Sequence, residues 1–478
     1  MFDQVHEECG VFGIFENEST NLAQEVYLGL YALQHRGQEA CGIAICDDGV
    51  ISCHKGVGLV SDVFNKEALK KLGNSNMAIG HVRYSTTGSN NLNNVQPLVV
   101  KHLKGNLALV HNGNLTNASS IREKFELEGA IFHASSDTED ICYSIVKERL
   151  NTKSIEEAIE KTMDTIKGAY SCIAMSPSKL IAFRDPFGFR PLCIGKTTTN
   201  GYVVSSESCA LDTIGAKFIR DIEPGEIVVI TNNGLKSIKT RAFEHKICIF
   251  EYIYFAREDS IVEGSSIYKS RLLAGRLLSH EKEVKADVVI GVPDSGITAA
   301  LGYSRESGIP FEYGFVKNKY MGRSFIKPEQ KDRESTVQIK LNVIKESVKD
   351  KVVVLVDDSI VRGTTSARIV KLLKDSGAKE VHLRVSAPPF KYPCYFGTDI
   401  DSRENLIACK YDSVDEIAKV IGADSLAYLS IENARKLPYN SKCSCCDGCF
   451  SGIYPLDIDT NQRKNKFESK KNQKWFNT

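Results

Sequence analysis

Near residue 240 the hydrophobic pattern of the chain changes period, and this change constrains the fold more than any single motif. Before it, short β-branched runs alternate with turns, and residues 77–82, 107–110, 172–175, 180–183, 203–205 and 227–230 read as strands. Ser176-Pro177-Ser178 reads as a hairpin turn between two of them. Two helices interrupt, over 21–33 toward Gly37 and over 138–150, entered through Ser135-Ser136-Asp137. Runs of strands with few helices imply an α+β domain with antiparallel sheets. After residue 250, residues 286–291, 352–356 and 381–385 are strands. The first two lead through polar turns into helices, one from Ile297 and one over 365–376, closed by Gly377. That rhythm implies a parallel sheet with ligands at the strands' carboxyl ends. Asn232-Asn233-Gly234 breaks the pattern, which puts the boundary within 232–247.

A chain of 478 residues is long enough for two such domains. Lys plus Arg is 61 and Asp plus Glu is 60, so the net charge of +1 gives no footprint for nucleic acid. No apolar run approaches the ~18–20 residues of a membrane span. The polar, acidic start is no secretory signal, so a cytoplasmic protein without membrane or nucleic-acid partners is expected. The 15 cysteines are then reduced thiols, and most, such as Cys172 and Cys193, sit in apolar runs as small hydrophobes. The polar, basic end, 456–478, reads as a solvated tail.

Five segments in the first half carry chemistry in a fixed order. Cys9-Gly10-Val11-Phe12-Gly13 comes first, then Gln34-His35-Arg36-Gly37-Gln38 after the first helix. Gly80-His81-Val82-Arg83-Tyr84 and His111-Asn112-Gly113-Asn114 each end a strand, followed by Ser136-Asp137-Thr138-Glu139. The set resembles the class II glutamine amidotransferases, which have four-layer αββα N-terminal-nucleophile (Ntn) folds. A cysteine at the chain start can use its own α-amino group as base, because that amine titrates near ~8. The resemblance therefore implies that residues 1–8 are a removed propeptide and that Cys9 is the nucleophile. It assigns Asn112 and the Gly113 N–H to the oxyanion hole. Arg83 would hold the glutamine α-carboxylate and Asp137 its α-ammonium, with Arg36 and Gly37 lining the pocket. Arg184–Leu192 and Ser205–Ser208 also fit the family, and read as turn and domain-packing structure.

In the second half, Val352–Asp357 leads into Asp358-Ser359, then Gly363-Thr364-Thr365 opens a helix. Acids at a strand's carboxyl end and backbone donors at a helix N-terminus suit a sugar bearing a 5′-phosphate. The segment resembles the phosphoribosylpyrophosphate (PRPP) loop of α/β type I phosphoribosyltransferases. By that resemblance Asp357 and Asp358 hold the ribose hydroxyls directly or through Mg²⁺. Asp294-Ser295 in Gly291–Gly296 matches the pyrophosphate loop, with Ser295 at the Mg–PRPP complex. Lys317, Tyr320 and Arg323 belong to a basic stretch, 317–326, that looks like a flap closing over PRPP and excluding water. Gln338 stands where the family has Arg, and Glu258 where it usually has Pro.

Cys248, Cys394, Cys446 and Cys449 come from three places in the chain. Four thiolates suit Zn²⁺ or an iron–sulfur cluster, and the residues alone leave both open. Cys443 with Cys446 has the same spacing as Cys446 with Cys449; the second pair is taken because Phe450–Pro455 aligns with the family's ending.

From about Glu8 to Pro455 the chain is similar to the amidophosphoribosyltransferase family, in its iron–sulfur-containing branch. The resemblance implies an amidotransferase domain over 9–240 and a phosphoribosyltransferase domain over 241–455. It implies one Mg²⁺ and one [4Fe–4S] cluster per subunit. It further implies glutamine and PRPP as substrates, purine nucleotides as feedback inhibitors, and a homotetramer. Glucosamine-6-phosphate synthase shares only the first half. A PRPP-sensing regulator would need a DNA-binding module, and a cluster-based redox sensor would not need either set of catalytic motifs.

Overall fold

The computed structural model describes residues 9–84, 91–317, 341–400 and 402–458. Thirteen strands form two antiparallel sheets in the first half. One contains β1 (Gly10–Thr20), β2 (Ala40–Asp47), β3 (Val50–Val57), β4 (Ser75–Arg83), β9 (Cys193–Lys196), β10 (Tyr202–Ser205) and β11 (Lys217–Asp221), in the order β11-β9-β10-β1-β4-β2-β3. The other contains β5 (Leu98–His102), β6 (Gly105–Leu115), β7 (Gly168–Met175), β8 (Leu180–Arg184), β12 (Glu226–Thr231) and β13 (Gly234–Lys239), in the order β13-β12-β8-β7-β6-β5.

The period-2 alternation of the strands sorts their side chains into three apolar layers. Val11, Ala44, Ile79, Ala108, Val110 and Ile173 lie between the sheets. Their neighbours Phe12, Ile14, Ile43 and Ala78 point outward onto Leu22, Val26 and Leu30 of α1 (Leu22–Ala32). Leu107, Leu109 and Cys172 point the other way, onto Ile141 and Ile145 of α2 (Asp137–Asn151) and Ile159 of α3 (Ile155–Met163). The result is a four-layer αββα sandwich. The β7–β8 turn at Ser176-Pro177-Ser178 closes as expected, with the Ser176 N–H donating to the Lys179 carbonyl.

The second half is built on a four-stranded parallel sheet of β15 (Val288–Gly291), β16 (Val352–Asp357), β17 (Glu380–Val385) and β18 (Ser425–Tyr428). α4 (Ile267–Ser279), α5 (Gly296–Ser307), α6 (Thr364–Asp375) and α7 (Val414–Ile421) accompany it. The short strands β14 (Lys246–Cys248) and β19 (Ser444–Cys446) pair in parallel beside it. The apolar core of this half also takes in Ala169, Phe187 and Phe189 from the first. Among the described residues, no helix is long and apolar enough to cross a membrane. All 15 cysteines are free.

Candidate active sites and thiol cluster

β1 and β4 run antiparallel with Gly10 opposite Val82, which sets Cys9 and Arg83 at the same end of the sheet. Both are buried, and the Cys9 thiol lies 3.6 Å from the Tyr84 carbonyl oxygen. Gly37 packs directly on that strand end, since a Cβ there would stand 2.6 Å from the Arg83 nitrogen. Arg36 lies against Cys9 at this strand end. Its guanidinium is fully buried and held by Glu207 at 2.6 Å and by Glu251 at 2.8 and 2.9 Å, while its Nε donates to the Cys9 carbonyl at 3.2 Å. It therefore braces the Cys9 backbone, and its fork is already occupied by carboxylates.

The second sheet contributes the end of β6. His81 Nε2 donates to the His111 carbonyl at 3.1 Å, joining the two sheets there. Burial, with the nearby Arg83 charge, pushes the His81 pKa down to about 3, so the ring is neutral. Among the described residues, neither polar side-chain atom of the buried Asn112 has a hydrogen-bond partner. Such a group is costly to bury unless something else satisfies it. Gly113 has φ +142°, and a Cβ there would stand 2.1 Å from the Ala169 carbonyl oxygen, so only glycine fits. Asp137, the first residue of α2, is buried beside this strand end. Its carboxylate accepts the Leu115 N–H at 2.8 Å and lies 3.6 Å from His111 Nδ1. Burial opposes its ionisation, but His111 and that N–H hold its pKa below the usual carboxylate value.

In the second domain, Asp357 ends β16 and Asp358 follows it, 5% and 2% exposed. Burial and then the neighbouring Asp358 charge push Asp357 well above the usual range; burial also raises Asp358. Ser295 and Ser359 hydroxyls both donate to Asp358. Asp294 pairs with Lys317 at 2.5 Å. Gly363, at φ +86°, caps the start of α6, whose first residues are Thr364 and Thr365. The sequence thus brings Ser295, Asp357, Asp358 and Ser359 together. Tyr320, Arg323 and Gln338, residues 1–8, expected to be a propeptide, and nearly all of the tail lie outside the described residues. A cleft of about 550 Å³ joins the two halves, lined by His35 and Gln38 of the first domain and by Glu258, Arg271, Asp294 and Ser295 of the second.

The thiols gather where β14 meets β19, with Cys248 opposite Cys446. Burial pushes the Cys446 thiol up to about 12. Cys449 is raised well above its ordinary value, by burial first and then by Cys394, Cys248 and Cys446, so these four face one another. Cys443 is engaged instead with the Ser441 hydroxyl at 2.8 Å. Among the described residues, no group of three or more His, Cys, Asp or Glu is arranged to hold a single metal ion.

Two acids have no role of their own in the sequence reading, although Glu207 lies in the Ser205–Ser208 segment read there as turn and domain-packing structure. Glu207 is fully buried and binds Arg36, His35 at 2.8 Å and the Ser260 hydroxyl at 2.6 Å. Glu251 closes the same network from the second domain. The available signal was an acid inside the apolar run Ile249-Phe250-Glu251-Tyr252-Ile253.

A glutamine amidotransferase domain matches residues 81–213 and a phosphoribosyl transferase domain residues 265–419. An amidophosphoribosyltransferase of Archaeoglobus fulgidus is 47% identical over 453 residues, which cover 94% of this chain and 98% of that one. That of Bacillus subtilis is 45% identical over 460 residues, 95% of each chain. A solved glutamine PRPP amidotransferase from B. subtilis, complexed with ADP and GMP, superposes with a TM-score of 0.88 at 44% identity, covering 95% of this chain and 99% of that one. A structure described as the allosteric regulatory enzyme of purine biosynthesis gives 0.89 at 45%, covering 95% and 97%.

Proposed function

The chain belongs to the amidophosphoribosyltransferase family, which opens purine biosynthesis by joining glutamine nitrogen to PRPP, and we propose that it does so through two sites sharing one cleft. Cys9, freed as the first residue by removal of 1–8, attacks the glutamine amide carbon, with its own α-amino group as base. Asn112 and the Gly113 N–H hold the oxygen as it gains charge, Arg83 and Asp137 hold the amino-acid end, and Gly37 shapes the pocket. Ammonia leaves as the thioester forms, and water then releases glutamate. Ammonia crosses to the domain of 241–455 and attacks the anomeric carbon of PRPP. Diphosphate leaves and 5-phosphoribosylamine remains. Asp357, Asp358 and Ser295 would hold Mg²⁺, which supplies positive charge against the leaving diphosphate. Two buried carboxylates that repel each other suit such a cation. Ser359, Gly363, Thr364 and Thr365 would hold the 5′-phosphate, and Asp294, Lys317, Tyr320 and Arg323 the diphosphate.

The carrying observation is the cleft lined by His35 and Gln38 from one side and by Asp294 and Ser295 from the other. Glutamate and pyrophosphate release should be equal and PRPP-dependent; glutamate alone would reduce the chain to a glutaminase.

Cys248, Cys394, Cys446 and Cys449 would bind a [4Fe–4S] cluster, which ties three chain segments together. An all-thiol donor set in apolar surroundings fits it, and its positive irons would offset the cost of ionising buried thiols. Cys446→Ser should lower iron content, while Cys443→Ser should leave it intact; the reverse would move the ligand. Purine nucleotides are proposed as feedback inhibitors, in keeping with ADP and GMP in the B. subtilis structure. A cytoplasmic homotetramer completes the reading.

A further inference from the structure

We propose that the loop 394–398 of the second domain positions the oxyanion donor of the first, by clamping the backbone of Gly113. The proposal rests on the reading of Asn112 and Gly113 given above. Gly113 is confined on one side by Ala169 of its own domain. From the second domain comes Gly397, at φ +119°, where a Cβ would stand 3.1 Å from Arg190 Nη2, 3.4 Å from the Gly113 carbonyl carbon and 3.5 Å from its Cα. Two glycine backbones from different domains thus face each other across the interface with room for no more than a single carbon between them.

The contact is pinned on both flanks. The Asn114 side-chain amide, on the residue after Gly113, donates to the Tyr395 carbonyl at 2.9 Å. Arg190 donates to the Phe396 carbonyl through Nη2 at 2.7 Å and Nε at 3.2 Å. The Phe189 and Phe396 rings stack with centroids 4.2 Å apart. Within the second domain the loop is held in turn. The Cys394 N–H donates to the Ile400 carbonyl at 2.9 Å, and the Phe396 N–H donates to the Cys394 sulfur at 3.4 Å. The Tyr395 and Phe396 rings pack on Tyr454.

An oxyanion donor acts only at hydrogen-bond distance from where the charge develops, so a shift of a few tenths of an ångström matters. The first domain supplies the N–H, and the second supplies the wall that fixes its position. Tyr395, Phe396 and Gly397 act through Gly113, so they are positioning residues.

Glutamate γ-semialdehyde separates positioning from general folding. The Cys9 sulfur adds to its carbonyl carbon: a C–S bond forms as the carbonyl π bond breaks, the thiol proton passes to the Cys9 α-amino group, and the oxygen becomes the charge the donor must hold. Glutamate makes no tetrahedral adduct and reports the rest of the pocket. On the mature enzyme, Gly397→Ala and Asn114→Ala should each weaken the aldehyde about tenfold or more. Glutamine kcat should fall in parallel, with glutamate affinity, glutamine KM and ammonia-dependent synthesis within about twofold of the parent. Should Gly397→Ala fail to fold, Asn114→Ala decides alone. Unchanged aldehyde affinity in the folded variants overturns the proposal, and so does a joint loss of aldehyde, glutamate and ammonia-dependent activity. Asn112→Ala is the reference: if it too binds the aldehyde normally, the oxyanion reading itself fails.

Discussion

At the end of β6, buried polar atoms of Asn112 lack a partner among the described residues; at the end of β16, two buried carboxylates crowd each other. On the proposed reading, the first arrangement offers donors to a negative charge that exists only during reaction, and the second offers acceptors to a positive charge that arrives with the substrate. A site of the first kind can be complete before its ligand binds, because neutral donors do not repel one another. A site of the second kind is strained until a cation comes, because ionising Asp357 beside Asp358 in a desolvated corner is unfavourable. The difference teaches why one chain can hydrolyse an amide and hold a polyphosphate without either chemistry interfering: the sites differ in sign as well as place.

The sharpest break of the pair is Cys9→Ala. Glutamine-dependent synthesis should fall on the order of 10⁴-fold or more, while synthesis from free ammonia persists. Loss of both would mean that the sites are not separable. Next in size is Glu251→Ala, which leaves Arg36 with a buried charge short of one partner. Removing one member of such a network costs about 3–5 kcal/mol, readable as a lowered denaturation midpoint; a shift below about 1 kcal/mol would make the network incidental. Asp357→Asn tests the second site alone. The Mg²⁺ and PRPP requirement should rise at least about tenfold, with basal glutaminase unchanged. Unaltered PRPP kinetics would remove Asp357 from the site.

The smallest effect concerns pH. Burial would raise the Glu207 pKa, but His35 and Arg36 depress it well below its ordinary value of 4.5. A depressed carboxylate contributes stability that is present above pH 4.5 and lost as pH falls below it. Glu207→Gln should therefore flatten the acid limb of a stability–pH curve while lowering the neutral plateau. An acid limb of unchanged slope would transfer that dependence to other carboxylates.

Much of the fold was legible because short apolar runs bounded by turns announce strands. The run at 107–110 reads as β6 in this way, although it is buried on both faces, with Leu107 and Leu109 in one layer and Ala108 and Val110 in the other. β1 and β2 were not read as strands. Residues 40–46 are buried on both faces, so their pattern carries no period, and 9–14 was read only for chemistry. The helices at 118–127 and 155–163 also went unread. Site residues were legible where chemistry is local in sequence, as in Asp357-Asp358-Ser359. The Arg36–Glu207–Glu251 network was not, because its members lie 171 and 215 residues from Arg36 and meet only once both domains are folded.

Ala169, Phe187 and Phe189 sit in the apolar core of the second domain although the chain places them in the first. A chain of this length ordinarily melts in stages, one domain after another. Here neither half can come apart without wetting the other's interior, so calorimetry should show one merged transition. The same sharing leaves the newborn first half unfinished on the ribosome: Phe189 stays exposed to chaperones and proteases until its stacking partner Phe396, 207 residues further along, has emerged.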